Sequence, residues 1–90
     1  MSGRTTPAPL AFPCDFPIKV FGAGDEGFAS LVAEIVRRHA PELEANAIVC
    51  RPSKEGRYQA VTVTVRAQSK VQLDAIYRDL SGASDVIMAL

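Results

Sequence analysis

The sequence predicts one α+β domain in which the elements follow the order β-α-β-β-α-β. Three observations predict it. Alternating apolar and polar residues, typical of half-buried strands, occur near residues 15–21 and 58–67. Two other segments carry apolar residues at three- and four-residue spacing, as amphipathic helices do, and glycine or proline separates the segments. Interleaved right-handed crossovers then give a four-stranded antiparallel sheet of order 4-1-3-2, with both helices on one face.

The first strand and the first helix are predicted on either side of a glycine-rich turn. Residues 15–21 alternate, with an apolar side chain at every second position. The sequence G-A-G-D-E-G, residues 22–27, then interrupts the strand. Asp25 is expected to cap a helix that Pro41 ends, since proline cannot continue a helical hydrogen-bond pattern.

The second and third strands are predicted to form a hairpin. Residues 46–54 make the poorer strand, and Pro52 places it at the sheet edge because proline has no backbone N–H to donate. Residues 58–67 (Y-Q-A-V-T-V-T-V-R-A) give the strongest strand pattern in the chain, with valines on one face and threonines on the other.

The last third of the chain predicts a helix and a final strand. Ser69 and Gln72 form the pattern of a capping box, which indicates a helix start at this point. Gly82 is expected to end that helix. Residues 85–90 (D-V-I-M-A-L) are mostly apolar and predict a largely buried fourth strand.

Length and composition restrict the function. Ninety residues fit one small domain, predicted over residues 14–90 after a flexible tail at residues 1–13. Ten basic and ten acidic residues cancel, which disfavours nucleic acid and anionic membranes as partners. The chain shows no membrane-span or signal-peptide pattern, so the expected location is the cytoplasm.

Few residues are available for metal or redox chemistry. Cys14 and Cys50 form no C-x-x-C pair and would lie two strand spacings apart, too far for a disulfide. His39, the one histidine, has no acid or cysteine at ligand or triad spacing, and its place at a helix end favours a structural role. We therefore expect no metal site and no catalytic residues, and we predict that the protein is not an enzyme.

The three glycines of the turn have the G-x-G-x-x-G spacing of a dinucleotide-binding loop. That fold needs a parallel second strand ending in an acidic residue, whereas a hairpin follows strand 2 here. Asp25 and Glu26 would also place negative charge where a pyrophosphate binds. The sequence thus predicts no nucleotide cofactor, and the glycines indicate a sharp strand-to-helix turn.

The hairpin between strands 2 and 3 is the second candidate site. An RNA-binding sheet with this topology carries aromatic residues on strand 3, and here Tyr58 is followed by Ala60, Thr62 and Thr64 instead. The hairpin is nevertheless rich in basic residues and could bind RNA or an acidic partner. The predicted partner-binding residues are Arg51, Ser53, Lys54, Arg57 and Tyr58.

Several motifs together resemble a known family. They are F-P-C-D-F-P-I-K-V-F-G, R-R-H-A-P, R-P-S-K-E-G-R-Y-Q-A-V-T-V-T-V and the closing I-Y-R-D-L with V-I-M-A-L. Over residues 12–90 the chain resembles the YbeD-like family of small uncharacterised bacterial proteins. It departs from the family pattern in its longer N-terminal tail and in the glycine-rich turn.

The resemblance implies a ferredoxin-like, ACT-like fold similar to the regulatory domain of phosphoglycerate dehydrogenase. ACT domains bind small effectors, often amino acids, near the turn between strand 1 and helix 1. By that analogy the ligand-binding candidates are Gly22, Gly24 and Asp25. Genes of this family lie near lipoate-attachment enzymes in some bacteria, which suggests a link to lipoate metabolism, and the effectors of ACT domains suggest one to amino-acid metabolism.

The expected function is therefore a non-catalytic regulatory module that binds a small effector or a protein partner. The sheet face away from the helices is predicted to carry Lys19, Thr62, Thr64 and Arg66. Because such a face is polar, we expect a monomer or a weak homodimer paired through strand 2 or an end of the sheet, without a large obligate interface.

Overall fold

The computed structural model describes residues 11–24, 26–53 and 55–90, and these residues confirm the predicted order of elements. The elements in chain order are β1 (Cys14–Ala23), α1 (Phe28–Arg37), a 3-10 turn (Ala45–Ala47), β2 (Ile48–Pro52), β3 (Tyr58–Ala67), α2 (Lys70–Gly82) and β4 (Val86–Ala89). Of the predicted tail, residues 1–10 lie outside the described residues. Phe12, within that tail, packs against the core.

The strands of the described chain form one antiparallel sheet of order β2-β3-β1-β4, which is the predicted order. β1 and β3 pair over ten residues each, from Cys14 opposite Ala67 to Ala23 opposite Tyr58. β2 and β4 are the edges, so Pro52 lies on an edge strand as expected. The ladder between β1 and β4 shifts register between Phe21 and Gly22.

The core lies between one face of the sheet and both helices. Alternate residues of β1 and β3 are fully buried, among them Ile18 and Val63. The helices contribute the buried apolar side chains Phe28, Val32, Ile35, Val36, Leu73, Ile76 and Leu80 to the same cluster. The opposite face of the sheet therefore has no helix from the described chain over it.

The start of α1 differs from the prediction. Gly27 occupies the N-cap position, with no side-chain hydrogen bond to the first turn. Asp25, the predicted cap, lies outside the described residues. The helix begins later than the sequence suggests, and Phe28, its first residue, is buried.

The start of α2 confirms the predicted cap. The Ser69 hydroxyl accepts a hydrogen bond from the Gln72 N–H at 3.1 Å. The Gln72 side chain turns back to accept from the Gln68 N–H at 2.6 Å and donates to the His39 carbonyl at 2.7 Å. The cap thus also ties α2 to the end of α1.

Replacing Ser69 with alanine is expected to lower the free energy of unfolding by about 1 kcal/mol, because one backbone N–H of the first turn loses its acceptor. Urea unfolding followed by circular dichroism measures the loss. Ser81→Ala, at an exposed position late in α2, is the control and should leave stability within about 0.5 kcal/mol. Equal stability of both variants would show that the cap contributes nothing.

Candidate functional site

The two predicted glycines of the β1–α1 turn face protein atoms. Gly22 is buried, and a Cβ there would meet the ring of Phe28 and the Asp85 carbonyl oxygen. A Cβ at Gly24 would meet the backbone of Gly56 and Arg57. Packing therefore accounts for glycine at both positions. Their predicted role in binding a small ligand, together with that of Asp25, which lies outside the described residues, stays a prediction.

The structure brings the turn and the β2–β3 hairpin together, although the sequence places them about thirty residues apart. The Gly24 N–H donates to the Arg57 carbonyl at 2.9 Å. The Gln59 side-chain amide donates to the Ala23 carbonyl at 3.1 Å, and the Cys50 thiol donates to the Gln59 side-chain oxygen at 2.6 Å. The two sites predicted separately thus meet at one end of the sheet.

The predicted hairpin residues are exposed in the described chain, while Lys54 lies outside it. Ser53 closes the turn, since its N–H donates to the Tyr58 carbonyl at 2.8 Å and its hydroxyl accepts from the Tyr58 N–H at 3.3 Å. Arg57 pairs with Glu55 at 3.4 Å. Arg51 and Tyr58 point to the side of the sheet opposite the helices, as their register shows.

We call that uncovered side of the sheet the open face. Side chains alternate along strands, and cross-strand partners share a face, so the register defines its members. They include Lys19, Phe21, Val49, Arg51, Tyr58, Ala60, Thr62, Thr64, Arg66, Met88 and Leu90. Arg51, Ala60, Phe21 and Met88 form one row across the four strands, and Val49, Thr62, Lys19 and Leu90 form the next.

The open face is more apolar than the sequence predicts. Val49, Tyr58, Met88 and Leu90 expose 53%, 56%, 48% and 61% of their surface. Phe21 lies among them and is half-buried. Exposed apolar side chains grouped on one face of a small domain are typical of an interaction site. The centre of the face, on β3, is polar as expected. Exposed apolar side chains on the edge strands make the face as a whole more apolar than expected.

A shallow depression lies in the middle of the open face. Its volume is about 370 Å³. It is lined by the residues that β1, β2 and β3 contribute to the two rows: Lys19, Phe21, Val49, Arg51, Ala60 and Thr62. A second depression of about 280 Å³ continues from it toward Ser53 and Tyr58. The apolar floor, from Phe21, Val49 and Ala60, is thus continuous with the predicted hairpin site.

Two cations beside this depression have no partner among the described residues. Arg66 on the same face pairs with Asp15 at 3.3 Å, and Arg57 in the turn pairs with Glu55. In contrast, the side chains of Lys19 and Arg51 make no ion pair or hydrogen bond within the described ranges. The depression therefore combines an apolar floor with two positive charges free to bind an anion.

One polar contact was missed by the sequence analysis. His39 Nε2 lies 2.6 Å from a carboxylate oxygen of Asp79, forty residues away on α2. The pair joins the end of α1 to α2, as the Gln72 bond does. Within the described chain, this contact therefore links the two helices. Among those residues, no group of three or more His, Cys, Asp or Glu side chains could hold a metal ion.

Burial raises the pKa of the Tyr77 phenol on α2, because desolvation disfavours its ionised form. The folded state thus keeps the proton more tightly than the unfolded state. The stability that this raised pKa contributes is fully present below the ordinary tyrosine pKa of about 10. It is lost as the pH rises through the higher pKa of Tyr77 in the folded state. We expect Tyr77→Phe to flatten this alkaline loss of stability.

Urea midpoints of both proteins, measured between about pH 8 and pH 11, test the Tyr77 prediction. The two curves should diverge above about pH 10, with the phenylalanine variant losing less stability. Tyr58→Phe, at an exposed tyrosine, is the control and should follow the original protein. Parallel curves for Tyr77→Phe would contradict the prediction.

The fold and the comparisons define the class of protein. The solution structure of protein HP0495 from H. pylori aligns with a TM-score of 0.70, covering 99% of this chain and 98% of that chain at 14% sequence identity. That likeness confirms a ferredoxin-like, ACT-like α+β fold. Among the described residues, no helix has the length and apolar composition needed to cross a membrane.

Within that class, the chain belongs to the family described as "Protein of unknown function (DUF493)", which matches residues 8–90. A UPF0250 protein of Pseudomonas paraeruginosa is 47% identical over 85 residues, covering 93% of this chain and 91% of that protein. A UPF0250 protein of Chromobacterium violaceum is 47% identical over 79 residues, covering 88% and 89%. These relatives confirm the resemblance to the YbeD-like family of small bacterial proteins.

Proposed function

We propose that the protein is a non-catalytic, ACT-like regulatory module that binds a protein partner through the open face. The observation that carries the proposal is the exposed apolar surface that β1, β2 and the β4 edge contribute to one side of the sheet. Val49 on β2, Phe21 on β1, and Met88 and Leu90 at β4 lie on one side of the sheet. Antiparallel sheets commonly leave one face to water, and here the exposed apolar side chains on that face suit a partner that covers it.

The apolar surface favours protein over RNA as the partner. A single-strand platform stacks successive bases on aromatic rings along the central strands. The centre of β3 presents Ala60, Thr62 and Thr64 instead, so the described part of the open face has only two rings, Phe21 and Tyr58, both near one end of the central strands. Aliphatic side chains such as Met88 and Leu90 suit contact with another protein surface.

The proximity of the turn and the hairpin suggests how such a module would be regulated. Gly24 and Arg57 are hydrogen-bonded, and the hairpin carries Arg51 and Tyr58 of the open face. A small effector bound at the turn would therefore contact the segment that supports partner binding. Amide shifts at residues 22–28 during titration with amino acids and lipoyl compounds would test this ligand role.

Site-specific photo-crosslinking tests the proposed function. A crosslinking amino acid is placed at Thr62, in the centre of the open face, or at Ser81, exposed on α2. Both proteins are expressed in Pseudomonas aeruginosa, whose own relative is 45% identical. We expect a discrete crosslinked protein from position 62 and none from position 81. Identical products from both positions, or none from position 62, would contradict the proposal.

A further inference from the structure

We infer that the partner binds the open face with an acidic amphipathic helix, an inference that rests on the proposed function. The helix would place an apolar side chain in the central depression and a carboxylate on each of Lys19 and Arg51. The inference joins three observations of the described chain: an apolar depression, two unpaired cations beside it, and the spacing between those cations.

The charge pattern of the open face indicates an acidic occupant. Arg66 already has Asp15 as its partner, and Arg57 has Glu55. Lys19 and Arg51 are the cations that line the depression, and no acidic side chain lines it. Covering both with an apolar segment would bury unpaired charge, which costs stability, whereas carboxylates on the partner would compensate it.

The spacing of the two cations fits a helix. Lys19 is opposite Thr62 on β3, and Thr62 is opposite Val49 on β2; Arg51 lies two residues beyond Val49. With strands about 4.8 Å apart and a rise of about 3.4 Å per residue, the two Cα atoms are separated by about 12 Å. On a helix, carboxylates at positions i and i+7 are about 10–11 Å apart along the axis.

The same helix geometry places apolar residues of the partner over the apolar part of the open face. Residues i+3 and i+4 lie between the two acids on the same side of the helix. They would therefore lie over the depression formed by Phe21, Val49 and Ala60. A flanking apolar residue would contact the exposed Leu90, which is paired with Lys19. The inferred motif is thus acid-x-x-apolar-apolar-x-x-acid on one helix face.

Synthetic helical peptides provide the probe. One peptide carries Glu at i and i+7 with Leu at i+3 and i+4, so that all four lie on one face of the helix. A second has the same composition, but its two Glu lie on the opposite face of the helix from the Leu residues. A third replaces both Glu by Lys. Fluorescence anisotropy measures the binding of each to the full chain. We expect the first to bind about tenfold more tightly than the second and the third to bind weakest.

Charge reversal on the protein supplies the matched comparison. The Lys19→Glu/Arg51→Glu variant should weaken binding of the acidic peptide about tenfold and should prefer the Lys peptide. The Lys70→Glu/Arg78→Glu variant changes the net charge equally on α2 and should bind as the original protein does. Amide spectra of the two variants serve to check that both are folded.

The outcomes separate this inference from the proposed function. If the Thr62 crosslink forms equally in the Lys19→Glu/Arg51→Glu variant, the open face binds its partner and the acidic-helix inference is overturned. If the acidic peptide binds the two charge variants equally, the inference also fails. Binding of a labelled oligouridine that requires Phe21 and Tyr58, without binding of any peptide, would overturn both in favour of RNA. Loss of the Thr62 crosslink in the Lys19→Glu/Arg51→Glu variant, together with the predicted peptide preferences, supports both the acidic-helix inference and the proposed function.

Discussion

Replacing Gly22 with alanine is expected to lower the free energy of unfolding by about 2–3 kcal/mol, because the new methyl group overpacks the core. Its Cβ would meet the Phe28 ring and come within 2.5 Å of the Asp85 carbonyl oxygen. Phe28 is only 1% exposed, so its ring can make room only by displacing other core side chains or by moving the start of α1. Urea unfolding of the full chain measures the effect.

The chain offers a matched control for Gly22. A Cβ at Gly82, the last residue of α2, would have no atom within 4 Å. Gly82→Ala should therefore be neutral or slightly stabilising, since alanine reduces the entropy of the unfolded chain. Equal stability of the two alanine variants would show that packing does not require glycine at residue 22. A ligand role for the turn would then be the better explanation.

Replacing Phe28 with alanine is expected to cost about 3–5 kcal/mol, since a fully buried ring is lost and a cavity remains. Phe28 is among the largest fully buried side chains and joins the start of α1 to the end of β1. A domain of this size has a total stability of only about 5–15 kcal/mol, so the variant should be near its unfolding transition at room temperature.

Phe21→Ala is the matched control for Phe28. Phe21 lies on the open face and is half-buried, so its loss should be clearly smaller than that of Phe28. Urea midpoints of the two variants and the original protein give the comparison. A Phe21→Ala variant less stable than Phe28→Ala would contradict the placement of the core on the helical side of the sheet.

The sequence predicts the elements well where the pattern is periodic. β3 runs over Tyr58–Ala67, as predicted, because its valines and threonines alternate without interruption. α2 begins after Ser69 as predicted, since a capping box has a specific spacing. The start of α1 is less predictable. Asp25 and Gly27 both suit an N-cap, and the burial of Phe28 against Gly22 accompanies the later start.

The open face could not be predicted completely, for a physical reason. The prediction that D-V-I-M-A-L is largely buried was wrong, since Ile87, Met88 and Leu90 are exposed. An apolar run without alternation does not show which of its residues face outward. The register shift beside Gly22 leaves Ile87 between the paired positions Val86 and Met88 and turns Met88 to the open face. The His39–Asp79 contact depends on helix packing across forty residues, which local patterns do not encode.

The central claim, that the open face binds a partner protein, is tested most directly by Val49→Asp compared with Val71→Asp. Both valines are exposed, Val49 on the open face and Val71 on α2, so the same substitution is made on the two sides. Affinity is measured for the protein crosslinked at position 62. We predict at least about tenfold weaker binding for Val49→Asp and an unchanged affinity for Val71→Asp. Equal affinities of the two variants would contradict the claim.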